Sequence, residues 1–153
     1  MAECVFKWVK TGNLMIAVNT AGNISDERWA RFIEDFGAEG HGGYLGGSLG
    51  ILEVSSAQRK SAAKAMRERG FPVSILTDDV LVRGVVTAVS WLGANAKSYP
   101  WSQLDLALQR LDVDVGKQEV VRILDELRAE VEAEFETRRR ARTKARENKR
   151  RTS

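Results

Sequence analysis

A single cysteine, Cys4, stands among the 153 residues. That excludes an intramolecular disulfide and favours a cytoplasmic setting, where thiols stay reduced. There is also a single histidine, His41, with no cysteine or aspartate at metal-ligand spacing, so it reads as a solvated loop residue rather than a catalytic or metal-binding one. No apolar run approaches the roughly 20 residues that a membrane-spanning helix needs. The first thirty residues lack a basic segment followed by a continuous apolar one, so no signal peptide is expected. No repeat of solenoid length is present, and no constellation of residues calls for a cofactor. What remains is 43% apolar and 29% charged residues, the balance of a soluble globular chain.

Charge divides the chain in three. Residues 1–115 carry 12 Lys/Arg against 13 Asp/Glu, residues 116–137 carry 3 against 7, and residues 138–153 carry 9 against 1. The overall charge of +3 therefore reflects the C-terminus and not the body. The expected organisation is an α/β domain over 1–115, an amphipathic acidic helix over 116–137 and a frayed, basic tail over 138–153, where repulsion among arginines opposes order.

Within 1–115, short apolar runs alternate with helical periodicity. Val5-Phe6-Lys7-Trp8-Val9 and Leu14-Met15-Ile16-Ala17-Val18 read as two strands joined by a glycine-containing hairpin. Asn23 or Ser25 caps the next helix, where Trp29, Phe32, Ile33 and Phe36 share one face. The interval 37–50 holds seven glycines and reads as a flexible loop leading to a third strand over 49–54. A helix over 57–69, a strand over 71–77, a helix over 79–92, a short strand over 96–99 and a last helix opened by Pro100 and Ser102 follow. The order β-β-α-β-α-β-α-β-α implies a mixed five-stranded sheet with helices packed on it, the opening hairpin supplying the antiparallel strand.

Several features carry chemistry. The glycine interval precedes a strand instead of opening a helix, and no Lys-Ser/Thr follows it, which disfavours a phosphate cradle. Asp78 and Asp79 fall at the end of a parallel strand, where α/β folds gather function, and Arg83 can join them there; the plainer reading is Asp78 as an N-cap with Asp79 on the helix dipole. Ser55 and Ser56 stand at a strand-to-helix junction. Either Ser56 caps the helix, or one serine takes a phosphate on the positive helix end beside Arg59 and Lys60. Of the tryptophans, Trp29 and Trp91 read as core, while Trp8 and Trp101 are candidates for partial exposure at an interface. Val120, Leu124, Leu127, Val131 and Phe135 form a narrow seam suited to self-association or docking. Arg138, Arg139, Arg140, Arg142, Lys144 and Arg146 can attract nucleic acid or another polyanion without sequence preference, fold back on 130–136, or stay solvated.

The element order over 5–112 resembles the STAS domain, the fold of SpoIIAA-type anti-sigma factor antagonists. The segment Val73-Ser74-Ile75-Leu76-Thr77-Asp78-Asp79-Val80-Leu81-Val82-Arg83-Gly84-Val85-Val86-Thr87-Ala88-Val89-Ser90-Trp91-Leu92-Gly93 is similar to the second half of STAS-like proteins common in myxobacteria. The resemblance implies a non-catalytic regulatory or scaffold module. In antagonists of this family a partner kinase phosphorylates a serine at the start of the helix after the third strand, in an Asp-Ser-Ser/Thr-Gly motif. The positions that match are Ser55 and Ser56, within Val54-Ser55-Ser56-Ala57. The expected function is thus protein recognition, possible through a second copy as well as a foreign partner, with polyanion binding through the tail as the alternative.

Overall fold

The computed structural model describes residues 3–152; Met1, Ala2 and Ser153, at the outer ends of the two terminal segments, lie outside the described residues. Two apolar runs form the opening hairpin, β1 (Phe6–Thr11) and β2 (Leu14–Asn19), turned at Gly12-Asn13 with Gly12 at φ +55°. Then follow a two-residue strand β3 (Gly22–Asn23), helix α1 (Asp26–Phe36), β4 (Gly43–Ser48), a second two-residue strand β5 (Leu52–Glu53) and α2 (Ser56–Arg69). The chain continues through β6 (Val73–Leu76), α3 (Val80–Trp91), β7 (Ala96–Tyr99), one 3-10 turn (Trp101–Gln103), α4 (Leu104–Gln109) and α5 (Lys117–Thr152).

The main sheet is mixed and five-stranded, in the order β1-β2-β4-β6-β7, with only the β1–β2 pair antiparallel. β3 and β5 form a separate parallel pair. The fold class is α/β, as the alternating pattern predicts. Helices cover both faces. Met15, Ala17, Tyr44 and Val73 point to one side with Trp29, Phe32 and Phe36 of α1 and Ala62 and Ala65 of α2. Leu14, Ile16, Val18, Leu45 and Leu76 point to the other, where Ala107 and Leu111 meet the acidic helix.

Three expectations change. The third strand is not 49–54 but Gly43–Ser48, inside the glycine interval. The glycines make room for close neighbours: a Cβ on Gly47 would lie 2.4 Å from the Trp101 ring, and one on Gly46 would lie 2.9 Å from both Ile75 and Tyr44. The apolar seam of 116–137 is not an outward surface. Val120, Leu124, Leu127 and Val131 are buried against the sheet of their own chain, with Phe135 packed beside them. The division at residue 115 therefore cuts through a single core. Finally, residues 138–152 are helical, continuing α5 without a break. Extending a helix already nucleated on the sheet adds a bond for each residue fixed, and Glu134–Arg138, Glu136–Arg139 and Glu136–Arg140 tie successive turns together. None of the helices among the described residues is long and apolar enough to cross a membrane.

Candidate functional site

The C-terminal ends of β2, β4 and β6 share one edge, and each leads to a capped helix. Ser25 caps α1 by accepting from Arg28 N at 3.1 Å. Ser55, not Ser56, caps α2. Its hydroxyl accepts from Gln58 N and the Gln58 carboxamide accepts from Ser55 N, both at 3.0 Å. Such a reciprocal box needs Gln three residues after the serine, which Ser55 has and Ser56 does not. Gln58 further donates to Ile24 O and Asp26 Oδ1, so the cap also fixes α2 to α1. Ser56 is exposed, and its hydroxyl makes no hydrogen bond among the described residues.

At β6 the roles of the aspartates are exchanged relative to expectation. Asp79 is the N-cap of α3, accepting from Leu81 N at 2.8 Å, while Asp78 Oδ1 accepts from Trp101 N at 3.2 Å. The backbone N–H of Asp79 is held by Thr77 Oγ1, which pulls the aspartate into the cap position. The two carboxylates border an open polar hollow of about 560 Å3 of empty space, lined also by Ser48, Gly50, Thr77, Trp101 and Arg128. Trp101 Nε1 donates to Ser48 O, and the Arg128 guanidinium lies 4.8 Å from the Trp101 ring centre while bonding Glu132 at 2.8 Å. Arg83 does not line this hollow. Arg128 does, and nothing in the sequence pattern pointed to it, because its place depends on α5 folding back over the sheet.

The hollow holds no nucleophile–base pair. Each of its two acids has one oxygen in a bond that stabilises the end of an element, Asp79 Oδ1 to Leu81 N and Asp78 Oδ1 to Trp101 N. Among the described residues no three His, Cys, Asp or Glu side chains group as a metal site. His41 is not solvated as expected: its Nε2 lies 2.9 Å from Asp35 O, and its ring packs edge-on at 6.1 Å from Phe71. A carbonyl only accepts, so Nε2 carries the proton, leaving Nδ1 buried without a partner. Burial, helped by the neighbouring Glu3 carboxylate, pushes the Cys4 thiol up to about 11, which leaves it a poor nucleophile near neutrality.

A second, apolar cavity lies between the sheet and α1–α3, with about 890 Å3 of empty space that includes some open solvent. Tyr44, Ile75, Met66, Val82, Val86 and Val89 line it. Arg59 also lines it, and its Nε is buried without a hydrogen-bond partner.

The outer side of α3 departs most from expectation. Trp91, read as core, is 81% exposed, and Val80, Leu81 and Leu92 are 72%, 66% and 45% exposed. The inner side is apolar too, burying Val82 and Val86. Arg83, Thr87 and Ser90 make only a narrow polar stripe along one side of α3, and an apolar face as broad as the remainder is ordinarily covered.

Comparison of the chain with protein-family models gives no match, and comparison with curated proteins gives none.

Proposed function

We propose that the protein is a non-catalytic interaction module of STAS-like type, working in the cytoplasm, and that it recognises protein through the outer face of α3. The observation that carries this reading is the set of four large apolar side chains, Val80, Leu81, Trp91 and Leu92, standing in solvent on one helix. Contiguous apolar surface of this kind marks interaction sites, and an exposed tryptophan is a favoured anchor. The element order supports the family reading, as does a serine pair at the head of α2. Of that pair, Ser56 has the unengaged hydroxyl on the positive end of the helix, the suitable acceptor for a phosphate that would alter this edge by up to two charges.

The test is capture from host extract with tagged full-length protein against a Leu81→Glu/Trp91→Glu variant. Both substituted side chains point to solvent, so circular dichroism should be unchanged. Bound protein should fall at least tenfold, since central anchors are worth about 2 kcal/mol or more each. Equal recovery of the same proteins by both would refute the reading.

A polyanion-binding reading is favoured by one observation. Arg142, Lys144 and Arg146 make no ion pair among the described residues, and they lie on the exposed end of α5. By contrast Arg138, Arg139 and Arg140 are committed to Glu134 and Glu136. If polyanions are the ligand, duplex DNA binding should fall roughly a thousandfold between about 50 and 200 mM salt and vanish on deletion of 138–153. Salt-independent binding, or binding retained by the deleted chain, would exclude it.

A further inference from the structure

The outer face of α3 has an internal symmetry. Its exposed apolar and small residues run Val80, Leu81, Gly84, Ala88, Trp91 and Leu92, which is the same spacing read from either end about the level of residue 86, with exposed Arg83 and Thr87 along one flank. The two small residues occupy the middle and the large ones the ends. Nothing lies within 4 Å of the place where a Gly84 Cβ would stand, so the centre of the face is a shallow saddle open to solvent.

We propose that a second copy of this chain covers that face, the two α3 helices packing antiparallel about a two-fold axis level with residue 86. The inference rests on the reading of α3 as the recognition surface and names its partner. In this arrangement Gly84 meets the other copy's Ala88, letting the backbones approach closely. Leu81 meets its Trp91 and Val80 its Leu92, so each large side chain closes over the partner helix beyond the saddle. A two-fold contact must be self-complementary in this way, the same patch serving both sides. Antiparallel helices also set the positive end of each beside the negative end of the other.

Charge supports the same pairing. Arg67 donates through Nη1 to Leu92 O at 2.7 Å and so stands at the C-terminal end of α3. Asp78 and Asp79 stand at its N-terminal end. Antiparallel packing brings the Arg67 end of one copy to the Asp78–Asp79 end of the other, and does so twice. The four large side chains leave on the order of 500 Å2 exposed on each copy, or about 1,000 Å2 in the pair, at the lower bound of a specific interface. A dimer of modest affinity is what such an area sustains.

Sedimentation of the full chain at micromolar concentration tests the proposal, and the expected mass is twice 17.0 kDa. Gly84→Leu should give monomer, while its own fold is strengthened because leucine replaces glycine within a helix where the space is open. Arg67→Glu should shift the equilibrium toward monomer. Gly84→Cys and Ala88→Cys proteins, purified separately and then mixed under oxidation, should cross-link several-fold more in the mixture than either does alone. Native Cys4 is buried and does not compete. Wild-type protein sedimenting as a monomer, Gly84→Leu remaining dimeric, or cross-linking no better in the mixture would each overturn the proposal. If wild type is monomeric while Leu81→Glu/Trp91→Glu still loses captured host protein, self-pairing fails and the wider interaction reading stands. If that variant also loses nothing, both fail together.

Discussion

Ending the chain at residue 115 should abolish cooperative unfolding, leaving a species that binds hydrophobic dye and aggregates, whereas ending it at 137 should change the midpoint of thermal unfolding little. α5 contributes Val120, Ile123, Leu124, Leu127 and Val131 to the core, all buried, and they cover Leu14, Ile16 and Val18 of β2 on the face away from α1. Burying five such side chains is worth about 10 kcal/mol at roughly 2 kcal/mol each, comparable with the roughly 5–15 kcal/mol by which a domain is stable at all. The segment beyond 137 has far less to lose. Among the described residues it is tied to the body by Arg138, which donates to Cys4 O at 3.4 Å, and surface pairs are worth little. A milder version of the same test is Leu124→Ala, which should cost about 2–5 kcal/mol in urea denaturation. A 115-residue chain that melts cooperatively near the full-length temperature would show that α5 is an appendage after all.

That expected failure also marks where the sequence stops being informative. The period of the seam, from Val120 to Phe135, says correctly that one side of the helix is covered, but periodicity carries no address for what covers it. A partner chain and the sheet of the same chain demand the same residues. The interval 37–50 misleads for a different reason. Glycine is a poor strand former on its own account, yet β4 sits at the centre of the sheet, where Trp101 and Ile75 must come close, and there the lack of a side chain is what the packing needs. Trp91 was misplaced because the polar stripe of α3, Arg83, Thr87 and Ser90, is narrow, and the broad apolar arc beside it runs from buried Val82 and Val86 to exposed Trp91 without a break in the pattern. In contrast, the hairpin, the α1 face of Trp29, Phe32 and Phe36, and the order of strands and helices were legible, since alternation and the 3.6-residue period are local properties. The α2 cap was misread, the expectation falling on Ser56, although Ser55 followed by Gln58 has the capping-box spacing and is the residue that caps.

Gly47→Val should destabilise the protein by about 3 kcal/mol, and most of that loss should disappear when Trp101 is absent. Valine is otherwise the better strand residue, so propensity alone predicts a gain. The opposing effect is steric. A Cβ at position 47 would stand 2.4 Å from the Trp101 ring, and that ring is held on several sides, by its Nε1 bond to Ser48 O at 3.0 Å, by Asp78 at its backbone N–H and by the Arg128 guanidinium over its face. β4 cannot retreat, because Gly47 is registered with Val18 of β2 and Leu76 of β6. Trp101 must therefore leave, giving up its packing and its hydrogen bond, a combination in the range of an overpacked core with a displaced aromatic. Trp101→Ala alone should cost a similar amount, and Gly47→Val added to it should be nearly neutral. Two residues in contact through one clash give such a non-additive cycle, with a coupling of about 2–3 kcal/mol. Strict additivity in chemical denaturation would mean that the indole does not rest on β4, and the polar hollow bordered by Asp78, Trp101 and Arg128 would lose its floor.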